Sequence, residues 1–507
     1  MLSVVFILDV DYEFGDLNMN RRDFFLGAAG AALTLTACDI QWLKEVQKTY
    51  PNILMLIVDD LNDWVGPLGG HPNTKTPNID RLAAQGTVFA NAHAPAPLCG
   101  PSRASIMTGL APSTTGIYGH VKDNDIRFAN DKAAQSTFIS EYFKQHGYYT
   151  AAVGKVFHQA VASGSFDEFG GRYRGFGPHP DQRFKWHDKR TNTDWGAFPE
   201  TDEQMPDYDS ARWLEQQLLK KHDKPFFMAG GFLRPHVPWY VPQKWFDLHP
   251  IDGIELPAFM PNDLDDVPDI AKAVSEHPMM PTTEWAIENN EWKNMVQAYL
   301  ASVSFVDSCV GIVLDALEKS EYANNTAVVL WGDHGYSIGE KSKFAKMSLW
   351  ERSTRTPLII KPPRNQNNST NQQVTNKPVS LLDLYPTLIK MAGLPENPQN
   401  QGRDISSLLR DPNKSWEHAA VTTYGPNNHS VKTERYRYIQ YEDGSEELYD
   451  HQQDSDEWNN LANDPALAST IQSLRKHLPK DPAKWSAVSY YDGNSYFKNL
   501  SEQSKSN

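Results

Sequence analysis

Apolar residues along this chain fall into short continuous runs separated by segments of helical period. Ile53 to Val58 is uninterrupted and apolar, the pattern of a strand buried on both faces. Thr76 to Gly86 reads as a capped helix, with Pro77 in its first turn and Gly86 at its stop. The alternation then repeats. Phe138 to His146 is predicted helical and halted by Gly147, while Tyr149 to Val153 and Lys224 to Ala229 are predicted strands. Trp292 to Leu317 is a long helix, Ala327 to Trp331 and Pro357 to Ile360 are strands, and Leu381 to Ala392 is helical. Strands alternating with helices predict an α/β fold whose large, mostly parallel sheet is sandwiched by helices.

Two long segments lack a period. Arg172 to Asp207 and Pro261 to Glu284 are expected to be surface insertions that shape the approach to a site. Asn365 to Asn376 is Asn/Gln-rich and reads as a solvated loop. Beyond it, Arg435 to Tyr441 alternates, turns at Glu442-Asp443-Gly444 and returns through Glu447 to Asp450, which predicts a smaller C-terminal antiparallel sheet. The organisation expected is an export segment over 1–38, a catalytic domain over 50–376, a C-terminal subdomain over 377–490 and a poorly ordered polar tail over 491–507.

The first residues read as an address. Arg21-Arg22 precedes apolar residues as in a Tat-type signal, and a Gly/Ala-rich run follows to Ala37, too short for a membrane span. Leu35-Thr36-Ala37-Cys38 fits a lipobox, with Cys38 as the acylated first residue; a signal peptide without lipidation is the alternative. Met19 is a second candidate start. The expectation is an exported, periplasmic protein that meets the membrane only through a lipid on Cys38.

A net charge of -15 argues against nucleic acid as a partner, so an anionic substrate needs a local cationic pocket. Three cysteines cannot build a disulfide framework, and Cys309, on an apolar helix, reads as a buried thiol. In parallel sheets ligands bind beyond the carboxyl ends of the strands, where Asp59-Asp60 and Asp333-His334 fall. Either pair alone could serve a turn. Together they offer three carboxylates and an imidazole, a set that suits Ca²⁺ or Mg²⁺, because carboxylates left unpaired in one cleft are costly.

Cys99-Gly100-Pro101-Ser102-Arg103 is an order that neither packing nor turn formation requires. With Val58-Asp59-Asp60, Gly154-Lys155-Val156-Phe157-His158, Arg234-Pro235-His236-Val237-Pro238 and Gly332-Asp333-His334-Gly335, it resembles the type I sulfatases of the alkaline phosphatase superfamily, in their iduronate-type branch. The resemblance runs from about Pro51 to about Leu461. It implies one Ca²⁺ held by Asp59, Asp60, Asp333, His334 and a modified Cys99. It also implies a maturation enzyme that oxidises Cys99 to formylglycine, whose hydrate attacks sulfur to give a covalent sulfo-enzyme. The leaving alcohol takes a proton from His236 or Lys346, and His158 takes one from the second hydroxyl as sulfate departs. Arg103 holds the diol, while Lys155 and Lys346 clamp the sulfate.

Each of these residues has a plainer reading. Arg103 could simply form a salt bridge, His158 could be a core histidine, and Lys346 competes with Lys341 and Lys343 nearby. Those extra lysines point to a carboxylated or multiply sulfated sugar. The function expected is an exported sulfatase acting on a sulfated carbohydrate. The alternatives are a phosphoester or phosphonate hydrolase of the same superfamily, or a noncatalytic glycan-binding lipoprotein.

Overall fold

The computed structural model describes residues 50–186, 191–364 and 372–504, so the expected export segment over 1–38, with Cys38, lies outside the described residues. The main sheet has eight strands: β1 (Asn52–Val58), β2 (Thr87–Phe89), β3 (Tyr149–Gly154), β4 (Glu168–Phe169), β5 (Phe226–Phe232), β6 (Thr326–Gly332), β7 (Leu358–Lys361) and β8 (Gln373–Thr375). They lie in the order β8-β2-β7-β6-β1-β5-β3-β4. Strand β7 runs antiparallel to both its neighbours, and every other pairing is parallel.

The central strand shows why the apolar run is continuous. Leu54, Leu56 and Val58 enter one core, with the helices Pro77–Ala83, Pro206–Leu219 and Trp292–Lys319. Ile53, Met55 and Ile57 enter the other, with the helices Cys99–Thr108, Ile139–Gln145 and Leu384–Met391. A strand covered on both faces has no position that can stay polar. Cys309 is buried in the long helix, and burial raises its thiol well above the ordinary range, which leaves it inert.

Four further strands form the C-terminal antiparallel sheet: β9 (Ala420–Thr423), β10 (His429–Lys432), β11 (Tyr436–Gln440) and β12 (Glu446–Asp450), in chain order. The hairpin of β11 and β12 is the one the alternation predicts. Arg437 of β11 is fully buried and ties this sheet to the rest of the molecule, pairing with Glu351 and standing 2.6 Å from Glu457.

Several short elements depart from expectation. Gln373–Thr375, inside the expected loop, pairs with β2, itself too short to carry a period; residues 365–371 of that loop lie outside the described residues. Trp195–Ala197 pairs with Trp239–Val241 within the first insertion, and Asp269–Ser275 is helical within the second. The expectation of a disordered tail is corrected over Ser495–Ser504, which is a helix. Its Phe497 is completely buried, 4.5 Å from the ring of Tyr424 and 5.8 Å from those of Trp485 and Tyr491. A polar composition conceals the narrow apolar stripe of Phe497 and Leu500.

Replacing Phe497 with Ala should lower the thermal unfolding midpoint, since emptying a buried Phe site costs about 3–5 kcal/mol. An unchanged midpoint in calorimetry would show that this helix adds nothing to the core.

Candidate active site

Four strand ends supply the site. Strand β1 releases Asp59 and Asp60 just after Val58, and β6 releases Asp333 and His334 just after Gly332, in register with Val58. Asp60 sits at φ 59°, an uncommon backbone for an aspartate. Tertiary hydrogen bonds hold it there: its N–H donates to Asp333 Oδ1 at 3.1 Å, and its carbonyl accepts from the Tyr299 hydroxyl at 2.8 Å. Strand β3 ends at Gly154, at φ 75°, where a Cβ would stand 2.1 Å from the Gly231 carbonyl oxygen; Lys155 follows it into the site. Beyond β5, Asp207 accepts from the N–H groups of Leu233 and Arg234 at 2.7 and 2.8 Å, fixing the turn that carries His236.

The fifth contribution is a helix N-terminus, where Cys99 is the first helical residue. Its Sγ is 3.1 Å from Lys346 Nζ and 3.2 Å from His334 Nε2. Lys346 also donates to Asp60 Oδ1 at 2.5 Å, and Lys155 donates to Asp59 Oδ2 at 2.5 Å. Arg103, one turn after Cys99 and wholly buried, donates to Asp333 Oδ2 at 2.8 Å, to Asp59 Oδ1 at 3.3 Å and to the carbonyls of Lys155 and Val156. Its guanidinium positions two carboxylates, and Cys99 is not among its hydrogen-bond partners. His236 stands at the edge, its Nε2 3.9 Å from Asp60 Oδ2. His158 is stacked on His120 with centroids 4.1 Å apart. His120 in turn packs on Gly100, where a Cβ would stand 2.9 Å from its Nδ1.

Residues 51–394 match the family model described as Sulfatase, and residues 339–484 match the one described as N-sulphoglucosamine sulphohydrolase, C-terminal. This chain belongs to the sulfatase family. A protein named Sulfatase from Formosa agariphila is 48% identical over 94% of this chain and 96% of its own length. Iduronate 2-sulfatase of Mus musculus is 32% identical over 69% of this chain and 70% of its own. A solved structure in complex with its substrate D-glucosamine-2-N,6-O-disulfate superposes with a TM-score of 0.65 at 21% identity, covering 84% of this chain and 96% of that one. The enzyme class that follows is a sulfuric ester hydrolase.

The electrostatics of this sulfatase fit a divalent cation. Burial would raise the Asp59 carboxyl, yet Lys155, His236 and Arg103 hold it well below the usual range. Burial, reinforced by Asp59 and Cys99, pushes Asp60 up to about 7 in spite of Lys346. Burial lowers His334, but Asp333 and Cys99 override it and push the imidazole up to about 9. Asp60 and His334 are thus both pushed up where the anions crowd, so a divalent cation would compete with protons for them. Asp60 Oδ2 is buried with no hydrogen-bond partner. His334 Nδ1 donates to the Gly335 carbonyl at 2.9 Å, so Nε2, which faces Cys99 Sγ, is the nitrogen that a cation would take, and ligand atoms of Asp59, Cys99, Asp333 and His334 all lie within 4.8 Å of one another.

The lysines separate cleanly. Lys346 reaches the cluster, whereas Lys341 pairs with Asp263 and Lys343 donates to backbone carbonyls. Sequence reasoning missed His120 and Tyr299. Neither stands in a motif, and only the fold brings them to His158 and Asp60.

A Ca²⁺ bound by this cluster would compete with protons at Asp60 and His334, both of which are pushed up. Affinity measured by titration calorimetry should therefore weaken as pH falls from about 9, most steeply through about 7, with Asp60→Asn losing the lower step. An affinity independent of pH over that range would contradict the ligand assignment.

Proposed function

We propose that this chain is an exported sulfatase that removes sulfate from a sulfated poly- or oligosaccharide, using Cys99 oxidised to formylglycine and one Ca²⁺. The observation that carries the reading is the position of Cys99. It heads a buried helix between Lys346 and His334 and beside three carboxylates, within Cys-x-Pro-Ser-Arg. The names of its relatives, one an iduronate 2-sulfatase, and its C-terminal match to an N-sulphoglucosamine sulphohydrolase model favour a saccharide. The twin arginine and the Cys38 lipobox favour export to the periplasm with a lipid anchor, and the modification calls for a maturation enzyme as partner.

Asp59, Asp60, Asp333 and His334 are the residues that would hold Ca²⁺, which when bound supplies positive charge against the nonbridging sulfate oxygens. Hydrated formylglycine at position 99 supplies one hydroxyl to attack sulfur and a second whose ionisation lets sulfate depart, which serine could not. Arg103 keeps Asp59 and Asp333 oriented without touching the nucleophile. Lys155 and Lys346 are the cations that meet the incoming sulfate. His236 donates from Nδ1 to the Val237 carbonyl at 2.7 Å, so Nε2 handles the proton of the leaving oxygen. Burial, reinforced by Lys346, holds its imidazole well below the usual range, and the charge of the bound sulfate is what protonates it. His158 is likewise kept neutral, by burial first and Lys155 next, and its Nδ1 has no partner, as suits a base.

Mass spectrometry of the Cys99 peptide from active protein should show an aldehyde in place of the thiol, and full activity with an intact thiol would remove formylglycine from the account. The two histidines should separate by leaving group. In His236→Ala the loss should shrink for nitrophenyl sulfate, whose leaving oxygen is acidic; in His158→Ala a burst of alcohol should precede slow turnover for any ester. The reverse pattern would exchange their roles. Sulfate release from a panel of defined sulfated oligosaccharides tests the substrate class, and release from nitrophenyl sulfate alone would refute it.

A further inference from the structure

Lys341 and Lys343 crowd the segment before Lys346, and the site described above uses neither. Lys341 is accounted for: it is buried and pairs with Asp263 at 2.6 Å. Lys343 is not. It is 7% exposed and donates to the carbonyls of Ser275 at 2.8 Å and Met347 at 3.3 Å, while among the described residues no carboxylate lies within ion-pair distance. Burial alone pulls this ammonium down to about 7, the behaviour of a cation that has lost water and gained no counter-charge. An ammonium has three donors, and two are spent.

Lys343 lines a cavity of about 420 Å³. Two polar atoms of that wall are out of solvent and without a hydrogen-bond partner, Ser275 Oγ and His277 Nδ1. Ser275 itself is only 8% exposed. A buried polar atom left unpaired costs about 1–3 kcal/mol, so these two, beside an ammonium with one donor left, call for a common partner. Lys343 can only donate, and a hydroxyl and a neutral imidazole can donate too, so an acceptor is the partner that satisfies all three. The carboxylates at the rim, Glu276 and Glu284, are exposed; Glu284 accepts from Ser342 Oγ at 2.8 Å, and the exposed Lys272 offsets them. Ala345 lines the cavity and Lys346 serves the nucleophile, so cavity and catalytic cluster adjoin along one stretch of chain.

We propose that Ser275, His277 and Lys343 form a second anion subsite, which takes a sulfate or carboxylate of the saccharide other than the ester being cleaved. This rests on the saccharide reading above and adds its chemical class: a substrate with at least two anionic groups. Trp350 and Met280, also in the cavity wall, give the sugar carbon skeleton an apolar surface.

Two measurements test it. Wild-type crystals soaked in sodium selenate should show an anomalous peak in the cavity within hydrogen-bond distance of Lys343 Nζ, lost in Lys343→Met; an empty wild-type cavity would overturn the subsite. The ratio of kcat/KM for a multiply sulfated saccharide to that for nitrophenyl sulfate should fall about tenfold in Lys343→Met, the loss of one charge-assisted hydrogen bond, and largely recover in Lys343→Arg. An unchanged ratio in Lys343→Met would also overturn it. Should the wild type release sulfate from no saccharide, the saccharide reading fails, and the selenate peak still decides whether the cavity binds an anion.

Discussion

A carboxylate taken out of water has to be paired, and this chain buries Asp59, Asp60 and Asp333 together at the ends of two adjacent central strands. Arg103, Lys155 and Lys346 are buried against them, each drawn from a different element. Much of the architecture serves this arrangement. The parallel register of β1 and β6 brings the acids together, the helix of Cys99 delivers Arg103 one turn later, and the end of β3 delivers Lys155. Three cations match three carboxylates, yet Asp60 Oδ2 stays unpartnered and both Asp60 and His334 are pushed up. Buried ion pairs of this kind contribute little net stability, so their presence is better explained by what they hold than by folding.

The same local balance reconciles an acidic protein with an anionic substrate. A net charge of -15 repels sulfate at long range. Attraction therefore depends on buried cations that screening reaches poorly, Lys155 and Lys346 at the cluster.

How much could be read from the sequence depended on whether a signal was local. Ile53–Val58 announces a doubly buried strand, and Asp59-Asp60 and Asp333-His334 announce strand-end chemistry, because the reason for each lies in consecutive residues. Strands β2 and β8 were not legible: three residues carry no period, and their pairing is decided by the sheet edge they complete. The helix at Ser495–Ser504 was hidden by its polar face. His120 and Tyr299 gave no signal, since their roles exist only through contacts with His158 and Asp60. Spacing put Arg103 one turn from Cys99 and suggested that it holds the diol, whereas its guanidinium pairs with Asp59 and Asp333, partners that only the fold supplies. The choice among Lys341, Lys343 and Lys346 required the fold, which sends each to a different partner.

The account stands most directly on the metal content of active protein. Elemental analysis of the purified enzyme, paired with sulfate release before and after chelation, should find one Ca²⁺ per chain, activity lost with it and restored by adding it back. Undiminished sulfate release from protein shown to contain no divalent metal would contradict the reading of the buried carboxylates as a cation site.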